Sequence, residues 1–214
     1  MRKLLIAIMA LIMAFAMTAC GAVEEEAPAV PKDIQNVKEE ASTYVETYAK
    51  QLTDAGWGDD YVALLSSGEA RDHADYESIM EVISDYRAEC GATYMYVLTP
   101  VVDGEITYDV KKTRDLPFAI TVDGCEDPDA WGIEYDWEIQ FTEAWEGATA
   151  AARSAWINDA VGDNHDICWS AFAPVYDSEG NVVCILGIDF PCAEVLNNYP
   201  QWNRDSGSWN GIEE

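Results

Sequence analysis

The sequence predicts an α+β fold, in which an antiparallel sheet of about five strands packs against helices. Two stretches in the first half of the chain have the apolar spacing of amphipathic helices. Later segments are rich in β-branched and aromatic residues, and turn-forming pairs such as Asp103-Gly104 separate several of them. Such short connections join neighbouring antiparallel strands, so we expect the sheet to be antiparallel.

The first predicted helix covers residues 33–55. Its apolar residues recur every three or four positions, and its opposite face is charged. The apolar stripe consists of Ile34, Val37, Ala41, Tyr44, Val45, Tyr48 and Leu52. Asp33 is suited to cap the start of this helix, and Gly56 is suited to end it.

Four more helices are expected. One is short, at 61–65, and another covers 75–90, where Gly91 supplies the left-handed residue that often follows a helix. An alanine-rich stretch at 141–155 predicts a helix in the middle of the domain. A short helix at 192–199 is expected to close it.

The strands are expected in two groups, separated by an acidic, aromatic loop at 125–139. The first group covers 93–102, 105–112 and 117–122, and the second group is the hairpin formed by residues 168–190. In this hairpin, Ser178 to Gly180 suit a three-residue loop, with Gly180 in the left-handed position.

This loop predicts which residues share a side of the final hairpin. If Asp177 pairs with Asn181, then Ala171 faces Gly187 and Trp169 faces Asp189, all on one side of the sheet. That side has small residues in its middle and ends in an indole opposite a carboxylate. We expect a hollow there, in which a bound ammonium group would pair with Asp189 and contact the Trp169 ring.

Two other interpretations of Asp189 remain open. The carboxylate can cap the expected closing helix, or it can lie exposed at a sheet edge. A one-residue error in the turn would place Asp189 opposite Cys168 instead. The other side of the hairpin is bulky and apolar, and we expect it to pack on helices.

The N-terminal residues 1–19 have the features of a secretory signal. Arg2 and Lys3 precede an apolar run, and small residues lead to Cys20. This end resembles the lipobox of bacterial lipoproteins, which implies cleavage before Cys20 and its lipidation. A plain signal peptide and an uncut membrane anchor are the alternatives. The acidic residues 20–33 are predicted to form a flexible tether. This leaves one domain at 34–199 and a tail at 200–214.

The composition argues against several classes of function. The net charge is -28 and becomes about -30 when the signal is removed, so the surface repels nucleic acid. Besides Cys20 there are five cysteines, but no CxxC spacing and only two histidines. We therefore predict no metal site and no cofactor. No G-x-S-x-G motif or fixed pair of carboxylates points to an enzyme.

Three segments are similar to the extracellular sensor domains called Cache domains. The most specific is WSAFAPVYDSEGNVVCILGIDF (169–190), preceded by NDAVGDNHD (158–166); ECGATYMYVLTPVVDGEITYDV (89–110) and WGIEYDWEIQFTEAWEG (131–147) match more loosely. The resemblance implies a PAS-like fold, with a long N-terminal helix behind a five-stranded antiparallel sheet. It also implies a ligand pocket on the other face, flanked by helices and loops.

The resemblance also implies roles for individual residues. Asp189 would contact the amine of a ligand, and Asp159, or alternatively Asp163, would help. Trp169 would line the pocket, as would Tyr135 and Trp137 from the loop that follows the third strand, in addition to Gly187 and Ala171, which the hairpin pattern places at the hollow. The side on which Tyr94 and Tyr96 lie cannot be fixed. Amino-acid-binding members of the family bind the ligand's carboxylate with an arginine-tryptophan-tyrosine pattern, which Arg153 with Trp156 matches only faintly.

The chain is therefore interpreted as a non-catalytic, lipid-anchored sensor on the outer face of the cell membrane. It would bind a small molecule, for which an amine-bearing ligand is one candidate, and signal to a membrane-embedded protein. A surface lipoprotein that binds glycans or proteins through residues such as Trp202 and Trp209 is the alternative. A carboxylate-based hydrolase is the third hypothesis.

Overall fold

The computed structural model describes residues 32–125, 127, 130–154 and 168–191. The predicted signal, the Cys20 lipidation site, the closing helix at 192–199 and the tail lie outside these residues. Within the described part, no helix is long and apolar enough to cross a membrane.

The first half of the domain is helical, as predicted. It comprises α1 (Lys32–Asp54), α2 (Trp57–Ser66), a 3-10 turn (Ala70–Asp72) and α3 (Tyr76–Cys90). In the α1 stripe, Tyr44 is half-buried, and the buried residues are Val37, Ala41, Val45, Tyr48 and Leu52. Gly56 and Gly91, with φ of 78° and 74°, occupy the left-handed positions at the ends of α1 and α3.

The second half contains a sheet of seven strands and one helix. In chain order these are β1 (Tyr94–Val102), β2 (Glu105–Ile106), β3 (Phe118–Asp123), β4 (Glu134–Tyr135), α4 (Ile139–Trp145), β5 (Ala150–Ser154), β6 (Cys168–Tyr176) and β7 (Val182–Pro191). The order across the sheet is β4-β3-β1-β7-β6-β5, with β2 paired to β1, and every pair is antiparallel. Five long strands behind a long N-terminal helix confirm the predicted α+β, PAS-like architecture.

Two of the predicted elements are wrong in part. The return strand expected at 105–112 pairs only over Glu105–Ile106. The helix expected at 141–155 ends at Trp145, and Ala150–Ser154 form strand β5 on the outer edge of β6. Alanine favours a helix only weakly, so pairing with β6 outweighs that preference.

The sheet lies between two apolar layers. On one face, α1, α2 and α3 cover a core that includes Val97, Trp169, Ala171 and Leu186. On the opposite face, α4 and its flanking loops cover a smaller core that includes Tyr96, Phe172 and Ile185. We call these the helix face and the α4 face.

The turn of the final hairpin is confirmed, but the register beyond it is wrong by one residue. Asp177 N–H donates to the Asn181 carbonyl at 3.0 Å, as expected. A bulge then leaves Val183 without a partner, so that Val175 pairs with Cys184 rather than with Val183. From there to the end of the hairpin, every β6 residue faces a partner one position away from the predicted one.

The shift separates residues that were expected to lie together. Asp189 is opposite Ser170, and Trp169 is opposite Phe190. Side chains alternate along a strand, so Trp169 and Ala171 lie on the helix face, whereas Asp189 and Gly187 lie on the α4 face. The predicted indole and carboxylate therefore do not bound one hollow.

Contacts from the start of the domain hold the bulge. Tyr176 N–H donates to Thr53 Oγ1 of α1 at 3.1 Å. The carbonyl of Tyr176 lies so close to Gly58 that a Cβ there would be 2.2 Å from its oxygen. At the bulge Val183 has no partner in the β6–β7 ladder, and Tyr176 instead contacts Thr53 and Gly58 near the junction between α1 and α2.

We predict that Thr53→Val destabilises the domain by about 1–2 kcal/mol, because it leaves the Tyr176 N–H without its acceptor. Thr53→Ser keeps the hydroxyl and is the matched control, which should lose less. Denaturant unfolding of both variants tests this. Equal stability of Thr53→Val and the wild type would show that the bulge does not depend on Thr53.

Candidate functional site

A carboxylate with two hydroxyl donors lies on the α4 face near the end of β7. Asp189 Oδ1 accepts a hydrogen bond from Ser170 Oγ at 2.6 Å and another from Tyr96 Oη at 3.1 Å. Each residue comes from a different strand of the β1-β7-β6 region, so the pairing of these strands positions all three. Ser170 and Tyr96 are buried, and Asp189 is half-buried.

Gly187 makes room for the Tyr96 ring. The two residues are directly opposite on β7 and β1. A Cβ at position 187 would lie 2.5 Å from Tyr96 Cε2, so any larger residue would displace the ring. The space that the glycine leaves is therefore filled by the protein itself, in contrast to the expected hollow, and it lets Tyr96 reach Asp189.

Two more tyrosines complete the group. Tyr135 of β4 stacks against Tyr96, with ring centroids 6.5 Å apart and planes at 14°. Tyr94 is the ladder partner of Asp189, so its side chain is on the same face, and it is 42% exposed. We call Tyr94, Tyr96, Tyr135, Ser170 and Asp189 the Asp189 cluster.

A second carboxylate on this face has a structural role. Asp123, at the end of β3, pairs with Tyr96. Its two oxygens accept hydrogen bonds from the N–H groups of Cys125 at 3.1 Å and Asp127 at 3.2 Å. Asp123 therefore fixes the loop after β3, whereas Asp189 Oδ2 accepts no hydrogen bond from the described residues.

Burial sets the protonation of the cluster. Desolvation raises the pKa of Asp189 to about 6, although the hydrogen bonds from Ser170 and Tyr96 act in the opposite direction. Desolvation, followed by the nearby charge of Asp189, also raises the pKa of Tyr96 and of Tyr135. At neutral pH the cluster therefore holds an ionised carboxylate beside neutral Tyr96 and Tyr135 side chains.

No cation balances this carboxylate within the described residues, since no Lys or Arg nitrogen forms an ion pair with Asp189. Arg87, at the same end of the sheet as Asp123, donates Nε to the Gly124 carbonyl instead. Within the same residues, no group of three or more His, Cys, Asp or Glu side chains could hold a metal ion. The cluster thus places a carboxylate beside aromatic rings on the α4 face.

The other predicted site residues lie elsewhere. Trp169 is 1% exposed in the core of the helix face, where the Lys38 ammonium lies 5.5 Å from its ring centroid. Ala171 is buried in the same core. Trp137, in the segment between β4 and α4, donates Nε1 to Thr142 Oγ1 at 2.8 Å, and the Arg114 guanidinium lies over its ring, so it joins α4 to the loop before β3.

Some predicted residues cannot be placed, and others were missed. Asp159, its alternative Asp163 and Trp156 lie outside the described residues. Asp189, Gly187 and Tyr135 lie together on the α4 face, where Gly187 contributes by making room for the Tyr96 ring. The prediction did not include Ser170, and it left the side of Tyr96 open. A polar residue inside the apolar strand β6 was the available signal for Ser170.

No family model and no curated protein matches the chain. Among solved structures it is similar to the sensory domain of the Campylobacter jejuni chemoreceptor Tlp3 (9% identity, 78% of this chain, 63% of that one, TM-score 0.33). It is also similar to the periplasmic domain of Chlamydia trachomatis RsbU (14% identity, 78% of this chain, 56% of that one, TM-score 0.38). A third similar structure is the E. coli DcuS sensor domain (12% identity, 72% of this chain, 99% of that one, TM-score 0.39).

Two of these structures are described as sensory or sensor domains, and the third as a periplasmic domain. The chain spans less than two thirds of the Tlp3 and RsbU structures that it matches. A further Tlp3 structure contains isoleucine (11% identity, 78% of this chain, 62% of that one, TM-score 0.32). The likeness is one of fold, and a function for this chain has to come from its own residues.

We predict that Asp189→Asn stabilises the protein by about 1–3 kcal/mol at pH 7.5, because it removes a desolvated charge and keeps an acceptor for Ser170. The folded pKa lies above the unfolded one, so ionisation of Asp189 lowers stability as the pH rises from about 4 to about 6. The free energy of unfolding, measured across this range, should fall less in the variant. If the free energies of unfolding of the wild type and Asp189→Asn changed with pH in parallel, the raised pKa of Asp189 would be contradicted.

We predict that Ser170→Ala raises the pKa of Asp189 by about one pH unit, because the carboxylate loses a donor that favours its charged form. An NMR titration of the Asp189 carboxyl carbon measures this directly. Ser178→Ala is the control, since Ser178 is exposed in the hairpin turn and bonds Asp59. An unchanged or lower pKa in Ser170→Ala would contradict the role assigned to Ser170.

Proposed function

We propose that this chain is a lipid-anchored, extracytoplasmic sensor domain of Cache type that binds a small organic cation at the Asp189 cluster. It acts by binding, without chemical turnover. Ligand occupancy is passed to a membrane-embedded partner. Cys20 is the proposed lipidation site, and residues 20–33 form the tether that leads into α1.

The observation that carries this proposal is an ionised, half-buried carboxylate for which the described residues provide no cation. Desolvating a charge without a partner lowers stability. Groups that are kept despite such a cost are concentrated at functional sites. A ligand cation would supply the missing partner at Asp189 Oδ2 and regain the lost electrostatic energy.

Binding fits the cluster better than catalysis does. Ser170 Oγ–H donates a hydrogen bond to Asp189 in a partly buried contact, and no histidine among the described residues joins the pair. Carboxylate-based hydrolysis needs two carboxyl groups facing one substrate. Asp123, the neighbouring candidate, has both oxygens bound to backbone N–H groups. The hydrolase hypothesis therefore gains no support from this cluster.

The position of α1 supports a route from the site to the anchor. Helix α1 follows the tether and packs across β6 and β7, the strands that carry Ser170 and Asp189. A ligand that changes the position of these strands would therefore act on the helix that leads to the membrane. Intact mass spectrometry of the membrane form tests the lipid on Cys20.

We predict that at least one cation in a panel of small amines and polyamines raises the melting temperature of the full-length protein at pH 7.5. Asp189→Asn should abolish that shift, because the ionic partner is lost. Asp85→Asn removes an exposed charge from α3, so it is matched in charge to Asp189→Asn, and it should keep the ligand-induced shift in melting temperature. The affinity of the wild type should fall as the pH drops below about 6, where Asp189 becomes protonated.

Hits that survive in Asp189→Asn would place binding elsewhere on this acidic surface. The absence of any hit among cations, combined with binding of a neutral or anionic molecule, would overturn the proposed ligand charge. Calorimetry with the hit and both variants separates these results.

A further inference from the structure

Among the described residues, the sheet ends at β4 with an open edge. In the strand order, β4 has a neighbour on one side only, which is β3. The Ile133 carbonyl accepts a hydrogen bond from Ile120 N–H at 2.9 Å, so Glu134, the next residue, directs its own N–H and C=O away from β3. An edge with such outward groups can pair with a further extended chain.

Exposed apolar side chains flank β4 in the chain. Ile133 is 48% exposed, and Ile139, the first residue of α4, is 45% exposed. They are two of the three large apolar side chains that are exposed within the described part of the protein. Tyr135 and Trp137 between them are half-buried, so apolar residues recur at every second position from 133 to 139. Single exposed apolar residues are ordinary, whereas their concentration along an open edge is typical of a contact surface.

Carboxylates occupy the positions in between. Glu134 and Asp136 are exposed, and neither forms an ion pair with another described residue. Acidic side chains at a sheet edge hinder pairing with an acidic strand and favour pairing with a strand that carries Lys or Arg. The edge therefore combines backbone hydrogen-bonding groups and apolar side chains with a negative charge that discriminates between partners.

This charge pattern disfavours two possible occupants of the edge. A second copy of the chain, paired antiparallel across a two-fold axis, would bring its own Glu134 and Asp136 next to these carboxylates. A membrane surface with anionic head groups would be repelled in the same way. A basic segment of another protein avoids both kinds of repulsion.

We infer that the β4 edge, residues 133–139, is a docking surface for an extended segment of another protein in which apolar and basic residues alternate. The segment continues the sheet beyond β4 by pairing with the backbone of Glu134. Its apolar side chains contact Ile133 and Ile139, and its Lys or Arg side chains pair with Glu134 and Asp136. This surface does not depend on the ligand proposed for the Asp189 cluster.

Fluorescence anisotropy of the full-length protein with a short labelled peptide of alternating valine and lysine tests the inference. A matched peptide carries N-methyl groups on all its backbone nitrogens, which removes the donors needed for strand pairing. We expect the unmethylated peptide to bind at least about tenfold more tightly. Amide hydrogen exchange at Glu134 should slow when this peptide is bound, because the outward N–H gains an acceptor.

Paired substitutions test the contribution of the carboxylates. Glu134→Gln combined with Asp136→Asn should weaken peptide binding by about three- to tenfold. Glu40→Gln combined with Glu46→Gln is the matched control, since it removes two exposed charges from α1, which packs near the other end of the strand order. The control should change the affinity by less than about twofold.

A second pair tests the apolar contacts. Ile133→Ser combined with Ile139→Ser should weaken peptide binding by about tenfold. Both side chains are exposed, so the melting temperature should change little. Asp189→Asn should bind the peptide as the wild type does, so that a failure of this inference and a failure of the proposed ligand site are seen separately.

Several results would overturn the inference. Equal binding of the two peptides would exclude strand pairing, and equal losses in the α1 control and in the Glu134 and Asp136 pair would show that general charge attracts the peptide. Binding of neither peptide would also overturn it. A dimer in light scattering, or binding to phosphatidylglycerol vesicles, that is lost in the Ile133 and Ile139 pair would assign the edge to a second copy or to a membrane instead.

Discussion

The bulge at Val183 determines what the two faces of the sheet contain. With regular pairing, Trp169 and Asp189 would share a face. The extra residue moves Asp189 opposite Ser170 and leaves Trp169 in the core beneath α1. Because the Tyr176 N–H is held by Thr53 and its carbonyl packs on Gly58, the register of the last hairpin depends on the first two helices. The candidate site therefore exists only in the complete domain.

A second constraint is the balance around Asp189. Burial favours the neutral acid, whereas hydrogen bonds from Ser170 and Tyr96 favour the carboxylate, and the balance leaves its pKa at about 6. Gly187 contributes by admitting the Tyr96 ring, so a residue without a side chain controls an electrostatic property. If both oxygens of Asp189 accepted hydrogen bonds from the protein, as both oxygens of Asp123 do from its loop, Asp189 would have few acceptor sites for a ligand.

The sequence predicted the features that depend on local contacts. The helices around Gly56 and Gly91, the turn at Asp177 to Asn181 and strands β1 and β3 follow from spacing and turn residues near one another in the chain. The bulge could not be predicted, because Thr53 and Tyr176 are 123 residues apart. Strand β5 was missed for the same reason, since its alanines are strand residues only beside β6. Asp189 was identified correctly as a distinctive residue, but its partners depend on the register.

Strand β6 links the cluster to the helix that leads to the proposed anchor. Consecutive residues face opposite ways: Ser170 bonds Asp189, and Trp169 packs under α1 with Lys38 above its ring. Trp169 is almost fully buried, and its Nε1 has no hydrogen-bond partner among the described residues, so packing and the Lys38 ammonium hold the indole. Tightly packed interiors transmit small displacements, because side chains cannot move independently of their neighbours. A shift of Ser170 towards or away from Asp189 must therefore be accommodated at the contact between Trp169 and α1.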